Sequence, residues 1–290
     1  MDYIFHIIIM IGIYTILALA ANIPVGLANM LSLAQSAFYG IGAYFSAFLL
    51  LNSGLPVFAI LLIIAFFSAL FSFIISFASI RLKGDYFILA TLGFQLIVFS
   101  ILYNWTSITK GPYGVPGIPS PRLFGLIELK SNLHFAILSV ALTTLFGFMF
   151  FKLINSPFGR VLKAIRTDEL SVEVLGRNAD RIKISAFAIS AGFSAIAGFL
   201  FAGYVKYIDP TSFTLDESIF ILTALFIGGL GNVKGCLAGA AFIILLPELL
   251  RFAGLPDALA ANLRQVIYGI CLIAVMRFYP KGIAGDLMLK

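Results

Sequence analysis

The chain has 290 residues, of which 61% are hydrophobic and only 11% charged, with a formal net charge of +6. So few charges could not cover the surface of a water-soluble protein of this length, and apolar runs that are continuous rather than alternating exclude a β-barrel. The basic excess falls in short loops, where it orients membrane proteins, and gives no nucleic-acid footprint.

An all-α integral membrane protein follows, one transmembrane domain over residues 1–290, with about eight to ten spans when each needs some twenty apolar residues. Residues 3–80 contain no Asp, Glu, Lys or Arg. Within them 3–23 and 55–80 read as spans; the N-terminus lacks the basic region of a cleavable signal peptide, so the first is expected to persist. The stretch between, 26–51, is apolar but carries Gly26, Gly40, Gly42 and several small polar residues. It is a candidate broken or half-length helix, tolerated at membrane depth only against protein or a water-filled cavity. Because its crossing is open, the side of the N-terminus is open too.

Residues 86–103 form the next span, after the charged hairpin Arg81-Leu-Lys-Gly-Asp85. The segment 104–132 is rich in Pro and Gly and is expected to be an ordered, irregular external loop. Residues 133–151 span, 184–205 span without a charge, and 207–217 are short and acid-leaning. Two apolar stretches, 218–233 and 235–250, hinge at Gly231–Gly235, and a last span lies near 263–279.

Between Phe151 and Ile184 lies a polar island, 152–183, with seven basic and four acidic residues. A net-positive island between spans is cytoplasmic by the positive-inside rule, as are then Arg81, Lys83 and the late basic residues Arg277, Lys281 and Lys290. Ser156-Pro157 marks a helix start, with helix expected over 158–170 and a shorter one over 168–175 stopped by Gly176. Phe158, Leu162 and Ile165 form an apolar stripe. Such an amphipathic handle suits docking into a partner's groove.

Catalytic machinery is missing. There is no Gly-x4-Gly-Lys-[Ser/Thr] phosphate loop, and His6 and His134 lack a second ligand at metal spacing. Cys236 and Cys271 read as small buried hydrophobes. Glu248 and Arg251, at i and i+3, read as an interfacial pair. Gly235-x3-Gly239 and the small-residue run 191–203 read as close helix packing. Asn29, Ser32, Gln35 and Ser36 differ, since polar groups on a glycine-rich segment suit a translocation path.

In combination the motifs resemble the permease subunits of branched-chain amino acid ABC importers, LivM-type. The resemblance rests on the run from Asn29 to Tyr44, on Arg81-Leu-Lys-Gly84-Asp85-Tyr86 with Ala90-Thr91-Leu92, and on Thr109-Lys-Gly111-Pro-Tyr-Gly114-Val-Pro-Gly117-Ile-Pro119. It continues through Ser156-Pro157-Phe158-Gly159-Arg160 to Arg166, Gly228-Gly229-Leu230-Gly231-Asn232 and Pro280-Lys-Gly282-Ile-Ala-Gly285, covering nearly the whole chain.

The resemblance implies a multi-pass protein of the bacterial inner membrane, paired with a second homologous permease subunit. Two cytoplasmic ATPase subunits would dock on the island, and a periplasmic binding protein would deliver the amino acid. The chain itself would hold no cofactor and no enzyme site; ATP and Mg belong to the ATPases. Gly159, Arg160, Arg166, Glu169 and Gly176 are expected to couple to them, with Arg166→Glu abolishing docking. Ser171, Val172 and Val174 stand where the family's coupling loop has small alanines, and Ala34 where its run has Gly. Ser32, Gln35, Phe38, Tyr44 and Thr91 are expected along the path, and Thr109, Gly111, Gly114 and Gly117 at the binding-protein contact. The rival readings are an ion-coupled secondary carrier without an ATPase and, least favoured, a membrane enzyme.

Overall fold

The computed structural model describes residues 2–79, 82, 84–123, 127–128, 131–252, 257–278 and 282–285. Arg81, Lys83, Lys281 and Lys290 of the expected cytoplasmic charge set lie outside them, as does the side chain of Arg251. The fold is all-α, as expected. Helix α1 (Asp2–Ala21) passes into a π-helical turn (Asn22–Leu27), and α2 (Gln35–Asn52), α3 (Val57–Ser79) and α4 (Asp85–Asn104) follow. The segment expected to be external holds α5 (Thr106–Thr109), a 3-10 turn (Gly111–Tyr113) and the two-residue strands β1 (Val115–Pro116), β2 (Arg122–Leu123) and β3 (Ile127–Glu128).

Next come α6 (Asn132–Asn155), the island helices α7 (Pro157–Thr167) and α8 (Glu169–Val174), and α9 (Ala179–Val205). Strand β4 (Tyr207–Ile208) pairs antiparallel with β1, fastening the segment that holds β1 to the end of α9. The chain closes with α10 (Leu215–Gly228), α11 (Val233–Phe252) and α12 (Asp257–Phe278). Among the described residues five helical segments are long and apolar enough to cross a bilayer unaided: Asp2–Leu27, Val57–Ser79, Asp85–Asn104, Asn132–Asn155 and Ala179–Val205. Helix α2, at 18 residues, is more polar, and α10 has 14 residues.

Helix α9 is the axis of the bundle: 67% of its apolar window is buried, against 28% for α4. Small residues make this possible. A Cβ on Gly198 would lie 2.3 Å from the Tyr39 carbonyl oxygen, and one on Gly42 equally close to that of Ala195, so α2 and α9 cross with backbones nearly touching. The Gly235-x3-Gly239 pattern does the same for the α10–α11 hairpin, where a Cβ on Gly239 would fall 1.8 Å from the Ala224 carbonyl oxygen. Close packing, the reading given to both patterns, is what they do.

The ends of the bundle are fixed by two contacts. At one, His6 near the start of α1 shares a 2.9 Å hydrogen bond with Tyr204 near the end of α9. At the other, the π-turn that follows α1 meets α7 of the island through Val25 and Arg166. The N-terminus therefore lies at the end of the bundle where β1 pairs with β4.

The break falls within the expected stretch 26–51, at residues 29–34 ahead of α2, while Gly40 and Gly42 lie inside a continuous helix whose neighbours need them small. The expected island helix over 158–170 stops at Thr167. Asp168 adopts an extended conformation (φ −156°, ψ 110°) and caps α8 by accepting from the Leu170 N–H at 3.0 Å. The second short helix expected over 168–175 is α8, and Val161, Ile165, Val172, Ala179 and Ile182 gather between the island helices and α9 into a separate small core.

Candidate functional site

The break begins with Pro24. Lacking an N–H, it cannot bond the carbonyl of Ala20, and an orphaned acceptor at membrane depth costs free energy. Ser190 of α9 supplies the missing donor, its Oγ lying 2.7 Å from the Ala20 oxygen. The helix widens into the π-turn, the Met30 N–H reaches back to the Pro24 oxygen at 2.9 Å, and Asn29 turns left-handed at φ 56°. Replacing Ser190 with alanine is expected to lower stability by about 1–3 kcal/mol, the cost of an unsatisfied buried acceptor. A melting curve in detergent measures it, with Ser190→Thr recovering most of the loss.

Side chains from four helices close the break. Thr91 of α4 accepts from the Leu33 N–H at 3.1 Å, and Ser32 accepts from the Ala34 N–H at 3.2 Å. Gln35, opening α2, donates to Ser190 at 3.0 Å and accepts from Ser194 at 2.8 Å. Ser218 accepts from the Ser36 N–H at 3.0 Å. Gln95 donates to the Phe213 carbonyl at 2.8 Å, while its Oε1 has no hydrogen-bond partner among the described residues, nor has the Tyr44 hydroxyl. Phe38 packs edge-on against Phe187 and tilted against Phe94.

Of the five residues expected along the path, Ser32, Gln35 and Thr91 share this break, and Phe38 and Tyr44 continue up α2. All five are buried within the chain. Sequence reading missed Gln95, Ser190, Ser194 and Ser218, polar residues inside spans read only as apolar. Pro24, in the middle of an apolar run, was the available signal.

On the island side, Arg166 turns inward. Its Nη1 donates to the carbonyls of Val25 (3.1 Å) and Gly26 (2.5 Å), the acceptors that the end of the π-turn leaves over. Burial lowers its pKa. Beside it Glu169 pairs with Lys183 of α9. Gly159 is buried and a Cβ there would lie 2.2 Å from the Leu153 carbonyl oxygen, so it sets the α6–α7 corner, capped by Ser156 accepting from the Gly159 N–H at 3.1 Å. Gly176 (φ 79°) closes α8, with the Arg177 N–H bonding back to Val172 at 3.2 Å. The Ser171 hydroxyl beside Asp168 holds that carboxyl below the usual range, so the cap it gives α8 is lost only as pH falls through the lowered value.

Arg160 is exposed, as are Leu170, Val174 (88% exposed) and Leu175 (82%) around α8. The five residues expected at the coupling segment therefore divide: Gly159 and Gly176 shape it, Arg166 and Glu169 tie it to the bundle, and Arg160 faces out.

A further joint leads on from the π-turn. Asn22, fully buried, accepts from the Gly231 N–H at 2.9 Å and donates to Cys236 Sγ at 3.1 Å, gripping the α10–α11 turn. The same turn is held from below by Ile283 and Ala284, whose N–H groups bond the carbonyls of Ile227 and Gly228, each at 2.9 Å.

At the far end, Thr109 donates to the carbonyls of Leu102 and Trp105, both at 2.7 Å, and accepts from the Gly111 N–H. Gly111, Gly114 and Gly117 all have positive φ. At Gly114 a Cβ would sit 2.5 Å from the Ile208 carbonyl oxygen, so the glycine lets the loop close onto β4. Glu248, read as paired with Arg251, accepts a hydrogen bond from Tyr3.

Residues 3–276 match the family described as "Branched-chain amino acid transport system / permease component". The high-affinity branched-chain amino acid transport system permease protein LivM of Salmonella typhimurium is 36% identical over 261 residues, 82% of this chain and 61% of that protein. LivM of Escherichia coli K12 is 37% identical over the same shares. An autoinducer 2 import system permease protein, LsrC of E. coli O9:H4, is 28% identical over 66% of this chain and 54% of its own length. The chain thus spans about 61% of the length of the LivM proteins it matches. No solved structure matches. With a polytopic apolar bundle, a charged island and a family match along nearly its whole length, the chain belongs to the permease components of branched-chain amino acid transport systems.

Proposed function

We propose that the chain is one membrane subunit of an ATP-driven importer that moves branched-chain or related small amino acids across the bacterial inner membrane. A second, homologous permease completes the passage. Two ATPase subunits grip the islands from the cytoplasm, and a periplasmic binding protein docks on the ordered loop that holds Thr109, Gly111, Gly114 and Gly117. ATP and Mg stay with the ATPases.

The observation that carries this reading is the island's two-sided construction. Its outer side offers apolar Leu170, Val174 and Leu175 with basic Arg160 to water, a composition suited to a partner's groove. Its inner side is bonded through Arg166 to the carbonyls at the break. Force applied to α8 would reach the break and, through Asn22, the α10–α11 turn. Two packings of such a joint, biased by ATP, would give alternating access.

Co-purification from native membranes in mild detergent is the test. A soluble ATPase and a related hydrophobic subunit are expected together with the chain. Uptake of leucine by the purified chain alone, under an ion gradient and without ATP, would sink the reading. Val174→Asp with Leu175→Asp is expected to abolish recovery of the ATPase while leaving the subunit inserted and its melting point unchanged. Both side chains lie in water before docking, so their loss costs the fold little.

A further inference from the structure

The chain that follows α9 does not stay at the end of the bundle. After β4 it turns inward through a 3-10 turn, Pro210–Phe213, to the start of α10. Two bonds fix how deep it goes. Gln95, which holds the Phe213 carbonyl, stands halfway along α4, and Tyr14, which donates to Glu217 at 2.5 Å, stands near the middle of α1. At a rise of about 1.5 Å per residue, both lie roughly 10 Å or more from either end of their helices. The first turn of α10 therefore sits inside a hydrocarbon layer about 30 Å thick.

Asp216 belongs to that turn, between Phe213 and Glu217. It is exposed, and it has no hydrogen-bond or ion-pair partner among the described residues. Ile219, three residues on and so on the same face of α10, is 45% exposed, and Thr211 of the 3-10 turn is exposed as well. Lipid is a poor cover for such a surface. A carboxylate among acyl chains is costly, and irregular backbone at this depth is tolerated only against protein or water. The outward faces of α3, α4 and α6 differ, presenting exposed Phe66, Ile97 and Leu145 near their midpoints, a composition that suits lipid.

A second copy of this chain fits the face no better. Copies related by a two-fold axis present the same patch to each other, which sets one Asp216 toward another, and facing carboxylates disfavour each other's charge. A chain of similar build but different sequence, with a basic or hydrogen-bond-donating side chain at that height, answers both the carboxylate and the apolar Ile219. We propose that the face of α10 carrying Asp216 and Ile219 is the contact with the second, non-identical permease subunit, and that Asp216 pairs there with a donor group of that subunit. The inference rests on the two-permease reading above and names the surface it uses.

The test uses the full chain in its native membrane, with Ile219 replaced by the photo-crosslinking residue benzoylphenylalanine. Illumination is expected to join the chain to a related hydrophobic subunit, identified by mass spectrometry. The same label at Ile97 of α4 is expected to join it to no protein. Asp216→Leu is expected to lower recovery of the second subunit about tenfold or more, the effect of removing one charge-assisted hydrogen bond, and Asp216→Glu to keep most of it. In nanodiscs holding the chain alone, Asp216→Leu should melt no lower than the wild type, because there the carboxylate faces lipid.

Three outcomes would overturn the contact: the Ile219 label joined only to lipid, the label joined to another copy of the chain, or full recovery of the second subunit with Asp216→Leu. A second subunit that co-purifies but never joins at Ile219 defeats this face alone. A wild-type chain that brings down no second permease defeats the two-permease reading, and this face with it.

Discussion

Gly198→Val is expected to leave almost no folded permease in the membrane. The Cβ alone would sit 2.3 Å from the Tyr39 carbonyl oxygen and 2.6 Å from the Ala43 nitrogen, and these are backbone atoms of α2 that no rotamer change can move aside. Relief requires parting α2 from α9, the axis of the bundle, and with it the hydrogen bonds of Gln35 to Ser190 and Ser194. Overpacking of this kind costs about 3 kcal/mol or more, a large part of a typical stability of roughly 5–15 kcal/mol. Size-exclusion profiles of a fluorescent fusion in mild detergent read the result directly. Gly93→Ala on α4 is the matched control: nothing lies within 4 Å of its Cβ position, and a change within about 0.5 kcal/mol is expected. A monodisperse, normally abundant Gly198→Val protein would contradict the close crossing.

Arg166→Ala is expected to abolish coupled transport while the ATPase subunits still co-purify. The guanidinium holds the two carbonyls at the end of the π-turn, and hydrogen bonds to a charged donor are worth about 1.5–3 kcal/mol each. Their loss frees the island from the break, so uptake should fall by roughly a hundredfold with ATP hydrolysis continuing. Lysine, a point charge without the planar fork, should restore only part. The expectation formed from sequence was that Arg166→Glu loses docking; in the structure the side chain turns inward onto the Val25 and Gly26 carbonyls, so the proposed function assigns docking to Leu170, Val174 and Leu175. Loss of ATPase recovery in Arg166→Ala would restore the first assignment.

The division between what was legible and what was not follows from the physics of each signal. Spans were readable because hydrocarbon demands long apolar runs: 133–151 and 184–205 lie within α6 and α9, each extended by polar ends that composition discounts. The Gly235-x3-Gly239 contact was readable because small residues at that spacing serve one common purpose in membranes. Ser156-Pro157 marked its helix start correctly, since cap and first-turn proline are local effects.

The break was legible only to within 26–51, because glycine marks both flexibility and close packing, and only the neighbours, Phe213 and Leu102 at Gly40 and Ala195 of α9 at Gly42, tell that these two serve packing. The grouping of Gln95, Ser190, Ser194 and Ser218 around the break could not be assembled, because they come from three separate helices, α4, α9 and α10, and pairing is set by helix rotation. Arg166 was identified as important by its charge, but its direction depends on the Asp168 bend that ends α7.

The grip on the α10–α11 turn bears on how the protein is made. Asn22 is translated early, yet its partners Gly231 and Cys236 emerge more than two hundred residues later, and the turn is completed only when Ile283 and Ala284 bond Ile227 and Gly228. Until then the first helix waits in the bilayer with its buried Asn22 amide unanswered, a state in which unsatisfied polar groups are costly. Biogenesis of this permease therefore has a late closing step. An interruption of synthesis anywhere before residue 284 leaves a chain that is inserted but unlatched, a substrate for membrane quality control.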